Sequence, residues 1–310
     1  MKATVVLPVY NGEKFLPAAI ESILSQSFSD FELIIIDDGS TEDIASIVRS
    51  YRDERVVFLS RENRGLGETL NELISLARGE YVIRMDADDF SLPSRIAAQV
   101  EFLDEHPEVA MLGTGISFMI GDKVVPAFPP ITEHEKIVSA LFNTRFPLCH
   151  PSVAFRKRCF EEIGGYRVKG AGEDLDFFLR MSEVGKLTNL PEIHFLYRLS
   201  STSLALRKQG ELNRGYAYAI YCARLRRQRV PEISMEEFDV VWRQRSLVNK
   251  LYCLAYNHSE RLYRGAIVSR AEGRRLIAVL QIILASVLRP RTTLGRVSEI
   301  MRSFLRRSWA

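Results

Sequence analysis

Three carboxylates fall within four positions of "YVIRMDADDF" (81–90): Asp86, Asp88 and Asp89. Acids this close repel one another unless a cation sits among them. Hard divalent cations take oxygen ligands, and Mg²⁺ typically uses one or two carboxylates plus substrate phosphates. The pattern predicts a metal–diphosphate site for Mg²⁺ or Mn²⁺, ions that carboxylates alone do not separate. A second acidic pair, Asp37 and Asp38, closes "LIIIDDGS". D-x-D alone is also the pattern of a solvated acidic turn. Asp38-Gly39-Ser40 is equally a local turn whose Ser40 or Thr41 caps the next helix.

Two further groups carry chemistry. "ENRGLGETLN" (62–71) offers Arg64 and two glycines just before a helix, an arrangement that suits phosphate. It is neither a P-loop, lacking G-K-[ST], nor a G-x-G-x-x-G turn. "GAGEDLDFF" places Glu173, Asp174 and Asp176 at a helix start. There acids complement the helix dipole, or one of them serves as a general base.

Position is what lifts these acids above the ordinary. The first 120 residues alternate strand and helix. "ATVVLPVY", "FELIIIDDGS", "RVVFLS" and "EYVIRMD" read as strands. "EKFLPAAIESILSQ", "TEDIASIVRSY", "LGETLNELISLAR" and "LPSRIAAQVEFLDEHP" read as helices. Such alternation implies parallel strands with right-handed crossovers, and near-continuous apolar runs imply strands buried on both faces. Ligands of an open parallel sheet bind at the carboxyl ends of its strands, which is where both acidic groups lie. From 109 to 200 the pattern loosens. "VAMLGTGISFMI", "VVPAF" and "PSVAFR" read as strands of mixed direction, and "GEDLDFFLRMSEVG" as a helix. Beyond about 211 only Arg-rich helices are predicted, and no internal repeat is present.

Composition bounds the rest. The chain has 310 residues, 46% hydrophobic and 26% charged, enough for one large domain or two ordinary ones. Its beginning, "MKATVVLPVYNGEK", does not read as a signal peptide, because the apolar run is short and stops at Pro8. Cys149, Cys159, Cys222 and Cys253 form no C-x-x-C pair and match no zinc spacing. They read as reduced thiols of a cytoplasmic protein. Net charge is +3, but unevenly spread: residues 1–200 hold 21 Lys+Arg against 31 Asp+Glu, and residues 201–310 hold 21 against 8. The basic C-terminal third predicts an anionic partner. Within it, "RRLIAVLQIILASVLRPR" (274–291) carries 13 residues without charge, from Leu276 to Leu288, too few to span a bilayer. It reads as a buried core helix, a dimer interface, or an amphipathic segment on an anionic membrane. Arg296, Arg302, Arg306, Arg307 and Trp309 extend the last pattern. No nucleic-acid module accompanies the charge.

Taken together, "VVLPVYNGEKFLPAAIESILSQSFSDFELIIIDDGSTED", "NRGLGETLNELISLARGEYVIRMDADDFSLPSRI" and "GEDLDFFLRM" resemble the family-2 inverting glycosyltransferases of GT-A fold, over roughly residues 3–200. The resemblance implies an α/β fold with a Rossmann-like mixed sheet flanked by helices. It implies a transferase domain over 1–205, with a donor half to about 108 and an acceptor half from 109, and a basic helical extension over 206–310. It implies a nucleotide-sugar donor, taken as a UDP-sugar, and Mg²⁺ or Mn²⁺. On this pattern Pro8, Tyr10 and Asp38 hold the nucleoside, Arg64 adds a polar contact, and Asp86 lies near the ribose. Asp88 is the metal ligand and Asp174 the base. Glu173 and His150, the latter in "CHPSVAFRK", lie on the acceptor side, although His150 serves equally as a structural histidine. Arg198 and Ser201, in "HFLYRLSSTSLA", would close over the diphosphate, or Arg198 would be a surface ion-pair partner. The acceptor implied is a growing surface glycan, lipid-linked where residues 270–310 meet the inner face of a membrane. A nucleotidyltransferase, and a catalytically silent scaffold that keeps the fold, remain alternatives.

Overall fold

The computed structural model describes residues 1–127, 129–167, 172–199, 209–245 and 247–288. Its internal contacts divide it into two units, one of residues 1–119, 124–198 and 214–232, the other of residues 120–123, 199–213 and 233 onward.

The first unit begins with β1 (Ala3–Val9), α1 (Leu16–Leu24), β2 (Phe31–Asp38), α2 (Ile44–Ser50), β3 (Val56–Arg61), α3 (Leu66–Leu76) and β4 (Tyr81–Arg84). β1, β2 and β4 are buried along their whole length. Successive side chains point to opposite faces, so each apolar run feeds two cores. Val6, Ile34, Ile36 and Val82 pack with Leu70, Leu73, Phe155 and Phe177 on one side. Val5, Leu7, Leu33, Ile35 and Ile83 pack with Leu16, Ile20, Ile23, Ile96 and Val100 on the other. That double coverage is why these strands show no polar alternation.

The chain continues with β5 (Phe90–Ser91), α4 (Arg95–Glu105), β6 (Val109–Ile120), β7 (Lys123–Pro126), α5 (His134–Phe142), a 3-10 turn (His150–Ser152), β8 (Ala154–Arg156), α6 (Lys157–Glu162), α7 (Glu173–Val184), β9 (Lys186–Arg198) and α8 (Gln209–Arg227). Sheet order is β3-β2-β1-β4-β8-β6-β9-β5, with β7 on β6. β1 is parallel to both β2 and β4, and β2 to β3. β8 runs antiparallel between β4 and β6, while β6 and β9 are parallel. The parallel half places the carboxyl ends of β1, β2 and β4 along one edge.

β9 is the element that the sequence hides. It contains Pro191, which removes a ladder donor, and its register against β6 slips at Thr114/Gly115 and again at Gly115/Ile116. Past that irregularity it pairs with the two-residue β5, Leu196 opposite Phe90 and Phe195 opposite Ser91. This pairing delivers Arg198 to the acidic edge. Residues 214–232 are tied to α7 by the Arg226–Glu183 ion pair and to Arg167, ahead of α7, by Glu232, which also accepts from Arg226.

The second unit contains α9 (Met235–Arg243), α10 (Leu247–Ala271) and α11 (Arg275–Leu288). α9 opens on a capping box in which Ser234 and Glu237 satisfy each other's backbone N–H groups. Among the described residues, no helix is long and apolar enough to cross a membrane.

Candidate functional site

The edge of β2 is spent on folding loops. Asp37 accepts from the Ser40 N–H and the Ser60 hydroxyl, both at 2.9 Å. Asp38, 4% exposed, accepts from the Arg61 guanidinium and, at 2.9 Å each, from the N–H groups of Arg64 and Gly65. A carboxylate has about four acceptor positions, so Asp38 keeps roughly one for any ligand. Directly after them Gly39 adopts φ +77°, and a Cβ there would lie 2.6 Å from the Asn63 nitrogen; only glycine fits. The helix cap expected from Ser40 or Thr41 comes instead from Asp43, which accepts from the Ser46 N–H. Ser40 and Thr41 turn the other way, to Asn11. Pro8 is buried in β1, Tyr10 stands 52% exposed beyond it, and the Arg64 side chain is exposed at the rim.

The edge of β4 gathers the strongest charge. Arg84, inside an otherwise apolar strand and 2% exposed, grips Asp86 through both guanidinium nitrogens at 2.9 and 2.8 Å. Asp88 is half-buried; burial and then the Asp86 charge push its carboxyl up to about 6. Asp89 is 2% exposed. One oxygen accepts from the Arg198 N–H at 2.8 Å, and the other is buried with no hydrogen-bond partner. Burial, followed by the charges of Asp86 and Asp88, raises Asp89 well above the carboxylate range. Arg198 also donates from Nε to the Asp88 carbonyl at 2.7 Å and lies 4.1 Å over the Phe15 ring.

Behind this edge sits Arg95, wholly buried, donating to Ser91, Gln99 and the carbonyls of Arg84 and Pro151 at 2.7–3.1 Å. It packs 4.6 Å from the Phe195 ring centre. Burial draws its pKa down to about 9. Arg95 thus joins the end of β4, the His150–Ser152 turn and β9.

The third group lies at the start of α7. Gly172 turns the chain at φ 101°, where a Cβ would meet Tyr216 at 2.9 Å, and Glu173 folds back to accept the Gly172 N–H. Asp174 accepts the Leu175 N–H at 2.8 Å. Burial, then Glu173, pushes Asp174 up to about 7. Asp176 is not free for chemistry, because Arg180 holds it at 2.8 Å. His150 bonds the Tyr166 hydroxyl at 2.8 Å, with Phe178 at 5.7 Å and Phe177 at 6.4 Å. Burial and then the Arg84 charge hold it well below the usual histidine range. His150 is therefore a neutral imidazole within an aromatic nest.

Arg84 unites the groups. Its charge acts on Asp88, Asp89, His150, Tyr166 and Asp174 alike, so the ends of β4, the 3-10 turn and α7 lie within the field of one buried cation. Arg84, Arg95 and Tyr166 were not picked out by motif, and Asp89 was named only as a member of the acidic cluster, without a role of its own. Arg84 had a visible signal, a lone cation inside "YVIRM"; Arg95 reads as an ordinary first-turn arginine. Ser201 lies outside the described residues.

The acids fit a hard divalent cation. Ligand atoms of Asp86, Asp88 and Asp89 all lie within 4.8 Å of one another. The donor set is all oxygen, and the unpartnered Asp89 oxygen is the kind of buried acceptor that costs free energy until something cationic meets it.

The family model Glycosyl transferase family 2 matches residues 4–164. EpsE of Bacillus subtilis (strain 168), which carries a glycosyltransferase name, is 30% identical over 285 residues, 88% of this chain and 96% of its own. The O-antigen biosynthesis glycosyltransferase WbnJ of Escherichia coli is 31% identical over 256 residues, 81% of this chain and 93% of its own. Among solved structures, S. aureus TarS 1-349 in complex with UDP superposes with a TM-score of 0.60 at 17% identity, covering 93% of this chain and 91% of that one. The sheet order, the flanking helices and that likeness give the GT-A fold, and with the match over 4–164 the chain belongs to glycosyl transferase family 2.

Proposed function

We propose that the protein is a metal-dependent, inverting glycosyltransferase. It moves a sugar from a nucleoside diphosphate, read as UDP, to an acceptor hydroxyl of a growing surface glycan. The acidic edge of β4 carries this reading: three carboxylates converge there, one with a buried unpartnered oxygen, beside Arg198. The name of WbnJ supports a surface glycan, and TarS complexes with UDP and UDP-GlcNAc support the donor class.

In the reaction, Asp174 takes the acceptor's hydroxyl proton as that oxygen attacks the anomeric carbon. The bond from that carbon to the diphosphate oxygen breaks, with inversion, and the nucleoside diphosphate leaves. Asp88, with the free oxygen of Asp89, would hold Mg²⁺ or Mn²⁺, which would supply Lewis-acid stabilisation of the leaving diphosphate. Arg198 adds a cation on the same side. Asp86, gripped by Arg84, lies toward the ribose. Pro8, Tyr10 and Arg64 border the nucleoside, with Asp38 acting chiefly through the loop that it folds. Glu173 and His150 shape the acceptor side. The enzyme works in the cytoplasm, peripheral to the inner face of a membrane that carries a lipid-linked acceptor.

Calorimetric titration of a panel of nucleoside diphosphates, with and without Mn²⁺, into wild type and Asp88→Ala tests this. Metal-dependent binding of one nucleotide, lost in the variant, is expected. Absence of binding under every condition overturns the reading. Release of pyrophosphate in place of a nucleoside diphosphate during turnover would make the protein a nucleotidyltransferase.

A further inference from the structure

Helix α11, "RLIAVLQIILASVL", is built inside out. At 3.6 residues per turn, Ala278, Gln281 and Ala285 share one face, while Leu276, Leu280, Ile283, Leu284 and Val287 share the opposite one. The small face is inside: Ala278 and Ala285 are 1% and 0% exposed. The large side chains are outside. Leu276 is 82% exposed, Val287 73%, Leu280 59%, and Ile283 and Leu284 53% each. Specific contacts with α10 fix this orientation. Ser259 donates to the Ala285 carbonyl and Ser269 to the Gln281 side chain, each at 3.0 Å. A Cβ on Gly265 would lie 2.8 Å from the Gln281 amide nitrogen. Beyond Arg275 the helix has only two polar side chains, Gln281 and Ser286, and both are engaged within the unit. A soluble surface helix turns its polar face outward, and monomers rarely leave contiguous apolar patches above roughly a few hundred Å².

The covering partner must be apolar inside and anionic at its surface. From Gly273 to Ala310 the sequence holds eight arginines and one glutamate, with no lysine or aspartate. A second copy would bring like charge against like charge. At ~1.5 Å per residue α11 is about 21 Å long, short of the ~30 Å hydrocarbon core. We propose that the outward face of α11 is a membrane-docking surface that lies in the plane of an anionic bilayer interface, its aliphatic side chains below the headgroups and the arginines among them. This deepens, and rests on, the membrane partner in the functional reading above.

The test is co-sedimentation of the full-length protein with vesicles of phosphatidylcholine alone or with 30% (about a third) phosphatidylglycerol, a fraction that gives a strongly anionic surface. The comparison is with L280Q/L284Q/V287Q, three exposed sites where circular dichroism should be unchanged. Expected is pelleting with anionic vesicles only, weakened by high salt, and at least about a tenfold higher lipid requirement for the triple variant. Equal pelleting of the two proteins, or none with any vesicle, overturns the proposal. So does light scattering that shows a lipid-free dimer which the triple variant dissociates, since the occupant would then be a second copy. Asp88→Ala should pellet like wild type and the triple variant should bind nucleotide like wild type, so failure of this surface and failure of the transferase reading are distinguishable.

Discussion

Asp174→Asn separates chemistry from stability in a single substitution. The side chain accepts the Leu175 N–H at 2.8 Å, and an asparagine Oδ1 can keep that bond, so the change removes a charge with little else. Asp174 is pushed from 3.8 up to about 7, first by burial and then by Glu173. A raised acid binds its proton more tightly folded than unfolded. The folded protein therefore loses stability as pH climbs from about 4 to about 7, and stays at the lower level above that. At ~1.4 kcal/mol per tenfold in the ionisation constant, the full gap is roughly 4 kcal/mol. Water at the part-open side chain and a high effective dielectric reduce this to about 2 kcal/mol. Asn carries no such penalty. Asp174→Asn should thus be more stable than wild type at pH 8 by about 2 kcal/mol, several degrees in Tm for a domain of this size, with the advantage largely gone at pH 4.5. Transfer activity should fall by about 10²–10⁴, the usual worth of a general base, and the wild-type rate should rise through pH 7 as the carboxylate forms. Thermal melts at the two pH values, with a coupled assay for nucleoside diphosphate release, measure both. An advantage that is the same at pH 4.5 and 8 refutes the electrostatic account. Activity within a few-fold of wild type refutes the base.

Two further perturbations probe the scaffold of the site. Asp38→Ala leaves the Arg64 and Gly65 N–H groups without their acceptor and removes one of the two carboxylates that hold the Arg61 guanidinium, Glu72 being the other. Breaking one partner of a buried pair costs about 3–5 kcal/mol, read as a lower urea midpoint at unchanged m-value; an unshifted midpoint would show that the 62–65 loop does not depend on Asp38. Arg84→Met removes a positive charge that favours the Asp174 carboxylate. The rising limb of the pH–rate profile should move up by roughly half a pH unit or more, and an unmoved limb would disconnect the two residues.

The parallel half of the fold was legible because its strands are buried on both faces and punctuated by Gly, Asn and Pro. Apart from β5, the elements from β1 to α4 follow from apolar runs, helical period and those breakers. In the other half β6, β8 and α7 were also legible, but β9, β5, α5 and α6 were not, for reasons that are local to a few residues. β9 reads as interrupted at Pro191, and the interruption is real, a register slip against β6. β5 is two residues long and exists only because β9 arrives beside it. No window on the sequence contains both partners. α6, six residues long, is short enough to escape a periodicity test.

The site divides the same way. Asp86, Asp88 and the Glu173–Asp174 pair are visible by type and by position at element ends, whereas the choice of Asp174 as base and the place of Arg198 come through resemblance. What the sequence cannot display is which carboxylates remain uncompensated, because that depends on three arginines brought together from β4, α4 and β9. Arg84 neutralises Asp86 with a two-pronged grip. Arg95 gives its donors to a serine, a glutamine and two carbonyls, and so fixes the strand end without neutralising any acid. Arg198 serves Asp89 and Asp88 through a backbone N–H and Nε. The result is a cluster of three acids in which one is paired and two, Asp88 and Asp89, are raised toward protonation, first by burial and then by the charges of their acidic neighbours. If an ion binds as proposed, these two carboxylates match the charge of one divalent cation. On the proposed reading, the diphosphate's own charge is left to Arg198 and to whatever ligand positions the ion retains, so donor and metal should bind cooperatively rather than independently.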